Sequence, residues 1–196
     1  MPSTSTKPTS GSPWSPPSPS TLLSSSADPA GDGEELFRRV AVTLLVNNVD
    51  DHMRNHGMLR AKDGWQLSPV FDVNPFSRLG SVDSTPVSRN DDPSNRDIRN
   101  LVSSASSFGV DRVRAAEVIR EVETATATWR EVAVSFGISP EGADAMSQAF
   151  DGPNRETAKN LPVPDRPRTS GSDHAQPRTV RGQFDYKRHF PPDVPA

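Results

Sequence analysis

Two aspartates and an asparagine stand in an order that could carry phosphoryl-transfer chemistry. Asp50 and Asn55 form Asp50-x-x-x-x-Asn55, and an isolated acid, Asp72, follows after a turn and a short apolar run. In such an order the first Asp accepts the proton of an attacking hydroxyl. The Asn holds a magnesium ion, and the later Asp holds magnesium against the phosphates. The residue types follow from the reaction, which asks a protein for positioning and charge neutralisation more than for covalent chemistry. The base must reach the hydroxyl, and magnesium takes hard oxygen ligands in preference to imidazole or thiolate. The same stretch, NNVDDHMRNHGMLRAKDGWQLSPVFD over residues 47–72, holds two of the four His of the chain. His52 and His56 lie four apart, which suits zinc only when a helix carries both on one face. A loop setting bounded by Gly57, Gly64 and Pro69 argues against that reading.

The composition limits where these residues can be held. Only 32% of the 196 residues are hydrophobic, and of 20 Pro, 15 fall before residue 31 or after residue 150. Residues 1–30 and 151–196 are therefore expected to be a disordered Ser/Thr/Pro-rich leader and a disordered tail. Residues 31–150 should form one compact domain of ordinary size. A net charge of −3 gives no electrostatic case for direct nucleic-acid binding. The absence of Cys excludes disulfides and thiolate metal sites and suits a cytoplasmic location. The apolar run from Val40 to Val46 is too short to span a membrane.

Helical periodicity places the motif between elements. A helix should start at Asp32 as N-cap and bury Leu36, Phe37, Val40, Ala41, Leu44 and Leu45, with Arg38 and Arg39 outside the apolar face. It leads directly into the Asp50 loop. Lys62-Asp63-Gly64 between Gly57–Arg60 and Trp65–Leu67 predicts a small hairpin returning the chain to Asp72. Asp92-Pro93 should open a helix burying Ile98, Leu101, Val102 and Phe108. Asp111 should cap a longer one running through Val113, Ala116, Val118, Ile119 and Val122 to Trp129, Val132 and Phe136, with Gly137 ending it. Ser139-Pro140-Glu141 should start a last short helix holding Met146 and Phe150. The predicted fold class is mainly α with one β-hairpin.

Leu36-Phe37-Arg38-Arg39-Val40, the run Asn47 to Gly57, and Leu67 to Val73 together resemble the C-terminal lobe of HipA-like serine/threonine kinases, the toxin arms of bacterial toxin–antitoxin modules. The similarity covers about residues 33–150. It implies the helical C-lobe of a protein-kinase-like fold, with ATP and Mg2+ as cofactors. Asp50 would be the proton acceptor, with Asp51 as its rival, and Asn55 and Asp72 would be the magnesium ligands. His52, Met53, Arg54 and Phe71 would border the nucleotide. The partners implied are a protein Ser/Thr substrate and a DNA-binding antitoxin.

One departure from the family pattern shapes the expectation. A kinase also needs a Gly-rich loop and a strand Lys over the phosphates, and upstream of residue 33 only the Ser/Pro-rich stretch with Lys7 is present. The expectation is thus a truncated kinase lobe lacking its nucleotide-gripping half. The alternatives are a non-catalytic module binding an antitoxin-like protein or a separate N-lobe, and a metal-dependent phosphoesterase built on the same acids and His.

Overall fold

The computed structural model describes residues 19–51, 55–77 and 96–164. Its elements are α1 (Pro19–Leu23), α2 (Pro29–Leu45), β1 (Met58–Ala61), β2 (Gly64–Leu67) and α3 (Ile98–Ser103), then a 3-10 turn (Ala105–Phe108). The helices α4 (Arg112–Thr126), α5 (Trp129–Ser135), α6 (Pro140–Ala145), α7 (Ser147–Phe150) and α8 (Pro153–Lys159) follow. It is mostly helical, with the single antiparallel hairpin that the sequence predicted.

α2 runs through the centre. Asp28 caps it, its Oδ1 accepting from the Gly31 N–H at 3.0 Å with Pro29 at the first helical position. Asp32, expected as the cap, lies one turn inside. Its Oδ2 instead accepts from Ser26 Oγ at 2.6 Å and from the Leu67 N–H at 3.2 Å, tying the first turn of the helix to β2. Leu36, Phe37, Ala41, Leu44 and Leu45 are buried as predicted, while Val40 is only partly covered. They pack against Ala115, Ala116, Val118, Ile119 and Val122 of α4, Ile98 and Leu101 of α3, and Phe108, whose ring meets Phe37 edge-on at 5.5 Å. Arg39, expected on the outside, is buried, because its Nη2 donates to the Ser68 carbonyl oxygen at 2.7 Å where the chain leaves β2.

Both domain limits move outward. Within residues 19–30, expected to belong to the disordered leader, α1 buries Leu23, and Ser26 pairs with Trp65 beside the hairpin. Beyond residue 150, where a disordered tail was expected, α8 buries Arg155 and Ala158, and Leu161 reaches the core. Residues 1–18 and 165–196 lie outside the described residues, as does the Asp92-Pro93 helix start. α3 opens instead at Asp97, which accepts from the Arg99 N–H at 2.8 Å.

The long helix predicted from Asp111 is two. Asp111 caps α4 as expected, but α4 ends at Thr126. Thr126 Oγ1 turns back onto the carbonyls of Val122 and Glu123, and Arg155 takes the carbonyls of Glu123 and Thr126. Side chains that bond the preceding turn in this way compete with the helical ladder. α5 buries none of its residues, so Trp129, Val132 and Phe136 are not the core positions the periodicity suggested. Met146 lies at the break between α6 and α7 rather than within one helix.

Two stability experiments follow. Gly33 sits inside α2, where Ala would ordinarily help by about 1 kcal/mol, yet a Cβ there would stand 2.2 Å from the Phe108 carbonyl oxygen. Gly33→Ala is expected to lower stability by about 1–3 kcal/mol in urea unfolding, and a stabilising effect would contradict this crossing of α2 over the 3-10 turn.

Arg114 of α4 bridges Glu34 of α2 (2.6 Å) and Glu121 (2.6 Å), which Arg38 also meets (2.9 Å). The Arg114 hydrogen bond holds the Glu34 carboxyl below its ordinary value of 4.5, against the opposing effect of burial. Burial pushes Glu121 up, but Arg114 and Arg38 outweigh it. Depressed carboxylates contribute stability above their unfolded pKa and lose it as pH falls through the folded one. Wild-type Tm should therefore fall more steeply than that of Glu34→Gln below about pH 4.5, and the difference should shrink in high salt because the cluster is part-exposed. Parallel acid limbs would rule out the coupling.

Candidate phosphoryl-transfer loop

α2 ends by running into the motif. Val46 closes the last turn by donating to the Val42 carbonyl, and Asn47 then turns left-handed at φ 50°. Asn is tolerated there because its short polar side chain bonds locally, and Asn47 Nδ2 donates to the Phe76 carbonyl at 2.6 Å. Asn48 is fully buried. Its carbonyl accepts from Arg96 Nη2 at 2.7 Å, and its N–H returns to the Thr43 carbonyl at 2.9 Å. Asp50 follows on the surface of the next turn.

The other half of the motif comes from the hairpin. The two-residue turn Lys62-Asp63 pairs Ala61 with Gly64, and Gly64 at φ 139° begins β2 rather than ending the turn. The Ser68 N–H to Gly57 carbonyl bond at 2.8 Å extends the pairing past Leu67. This brings residue 72 back beside residue 55, where Asn55 Nδ2 donates to Asp72 Oδ2 at 3.1 Å. Asn55 is 4% exposed, whereas Asp72 faces solvent. Asn74 Nδ2 donates to the second oxygen, Oδ1, at 2.8 Å. Asp72 holds φ at 59° without being Gly, a conformation that costs of order 1–3 kcal/mol and concentrates at functional sites.

The structure thus brings Asn55 and Asp72 together and leaves Asp50 exposed at the start of the same loop. Asp51, the rival for the proton-accepting role, is drawn inward. Its Oδ1 lies 3.3 Å from His56 Nε2, with both side chains largely covered. Arg96 is within electrostatic reach of it. Burial pushes the Arg96 guanidinium below the usual range, and the Asp51 carboxylate raises it again. His52, Met53 and Arg54 lie outside the described residues, and Phe71, expected to border a nucleotide, is 47% exposed. The zinc alternative finds His56 Nε2 already facing Asp51. Among the described residues no group of three or more His, Asp or Glu side chains gathers as a metal cluster.

The donor set fits magnesium. Asn55 gives its N–H to Asp72, so its amide oxygen would be the atom offered to a cation, beside a carboxylate. Both are hard oxygens. Two protein ligands are what magnesium commonly takes when substrate phosphates and water fill the remaining positions.

Residues 20–129, more than half the chain, match the family model of the HipA-like C-terminal domain. The chain belongs to that family. Searches of curated proteins and of solved structures returned no match.

The HipA-like domain contains supporting residues that pattern reasoning passed over. Asn47 and Asn48, directly after an apolar run, are a readable helix-stop signal, and Asn74 two positions past Asp72 is a local Asx pattern. Arg96 carries no such signal. Nor does Asn154 of α8, whose Nδ2 donates to the carbonyls of Arg96 (2.6 Å) and Leu44 (3.3 Å) and whose Oδ1 accepts from the Ile98 N–H (2.9 Å).

The left-handed backbone at Asp72 can be isolated from its side-chain bonds by comparing Asp72→Gly with Asp72→Val. Each removes the carboxylate, but only Gly adopts positive φ freely. The Gly variant is expected to be more stable by about 1–3 kcal/mol. Equal unfolding midpoints would mean that residue 72 is not held left-handed.

Proposed function

We propose that this HipA-like domain is the catalytic lobe of a protein serine/threonine kinase that uses ATP and magnesium. The observation that carries the reading is the Asn55–Asp72 hydrogen bond, which gathers the two expected cation ligands from opposite ends of the hairpin. Asp50 is the base. It is exposed at the start of the same loop, whereas Asp51 lies 3.3 Å from His56. In the reaction the hydroxyl oxygen of a protein Ser or Thr attacks the γ-phosphorus, its proton passes to an Asp50 carboxylate oxygen, and the bond to the ADP leaving oxygen breaks. Magnesium, when bound, neutralises charge building on the phosphate oxygens. Asn55 and Asp72 would hold the ion, and Phe71, exposed beside Asp72, would border the nucleotide.

A Gly-rich loop with a strand Lys is not found among the described residues. The phosphate-covering groups would come from outside them or from a second chain. A toxin role, a DNA-binding antitoxin as restraint and a cytoplasmic location complete the proposal by family analogy, which is weaker than the site argument.

A second reading has its own observation. Leu59, Val70, Phe71, Val73 and Phe76 are all exposed around the hairpin and the Asp72 segment, more apolar side chains than such a small region ordinarily shows to water. That favours a module whose face is covered by a separate N-lobe or an antitoxin-like protein.

Radiolabelled ATP with magnesium separates the readings. Under the kinase reading the full chain labels itself or an added helix-turn-helix protein, and Asp50→Asn reduces labelling by about 10²-fold or more. Undiminished labelling by Asp50→Asn removes the assigned role. No labelling and no nucleotide binding by the wild-type chain favours the module.

A further inference from the structure

We propose that Asp51 and His56 are positioning residues, their contact acting as a clasp that keeps Asn55 turned toward Asp72. This deepens the kinase reading and rests on it for the use of Asn55 and Asp72 as cation ligands. Asp51 directly follows the base Asp50, and His56 directly follows the ligand Asn55, so the 3.3 Å contact joins the two ends of the working segment. Both side chains are largely covered, so the contact lies on the buried side of the segment.

The clasp is anchored from below. Arg96 donates to the Asn48 carbonyl at 2.7 Å, three residues before Asp51, whose carboxylate raises the Arg96 pKa against the larger effect of burial. His56 is only 8% exposed, and its Nδ1 is buried with no partner. Chosen for packing, an apolar ring would fill that space without leaving a polar atom bare. The pair to Asp51 is what the His supplies. Asp50 and Asp72 are both exposed, whereas Asn55 and His56 are buried, so the contact to Asp51 acts on the covered side of Asn55.

The side-chain amide of Asn55 reports on this directly. Its protons, bonded to Asp72, should exchange slowly with water in the full chain without metal. His56→Ala should accelerate that exchange by about tenfold, the lower end of the effect that outer partners have on the groups they orient. His56→Gln should restore it, because the Gln amide presents an N–H to Asp51. The Asn154 side-chain amide, held by the carbonyls of Leu44 and Arg96, is the internal control and should not change. Unaltered Asn55 exchange in His56→Ala overturns the clasp, as does equal acceleration at Asn154, which would mean general loosening. Should His56→Ala fail to fold, Asp51→Asn keeps the shape and drops the charge, and the same site-selective acceleration is required of it. Broadening of the Asn55 amide by Mn2+ in the unaltered chain tests the ligand reading separately. Its absence would remove the metal role while the exchange result still decides the clasp.

Discussion

The last carbonyls of α2 are the constraint on which the site depends. A helix ends with four backbone acceptors that lack intrahelical partners, and here they are buried under the loop that begins at Asn47. Thr43 is satisfied by the Asn48 N–H and by Arg96, and Leu44 by Asn154. Leaving one such acceptor bare costs about 1–3 kcal/mol. The solution brings together segments around residues 45, 96 and 154 that are distant in sequence. A guanidinium also suits the negative end of the helix dipole. The loop therefore starts from a fixed point, and the hairpin needs only to return residue 72 to residue 55.

Where sequence periodicity and burial coincide, the fold was readable. The inward face of α2, the hairpin and the Asp111 and Ser139 caps rest on local rules of spacing and capping, and they hold. Two of the misreadings share one physical origin, a polar side chain with a distant partner. Arg39 looks like a solvated arginine until Ser68 is brought beneath it. Arg155 sits in a Pro- and Arg-rich stretch that composition assigns to a tail. Yet it is buried against Glu123 at 3.1 Å, a pairing that only the folded chain reveals. The start of α2 was misplaced for a different reason. The actual start, Asp28-Pro29, lies within the Ser/Pro-rich stretch that composition assigned to a leader.

The site divides in the same way. That Asn55 and Asp72 would meet was legible, because the expected chemistry sets those residue types in a definite order along the chain. What Asp50 and Asp51 face was not legible, although spacing to Asn55 favoured Asp50: Asp50 is exposed, whereas Asp51 is largely covered, 3.3 Å from His56.

The route of the chain between α4 and α8 has a consequence for how this protein can change over evolutionary time. The chain leaves the interior after Thr126 and re-enters at Pro153. The two ends of the detour are stapled by the stacked rings of Trp129 and Phe150, 4.4 Å apart, and by Arg155, which bonds the carbonyls of Glu123, Thr126 and Phe150. What lies between bears little of the interior, with Phe136 79% exposed at its tip. Such a stretch can lengthen, shorten or be replaced while the staple keeps both ends in register. New surface properties could therefore be gained there without disturbing the segment from Asn47 to Asp72.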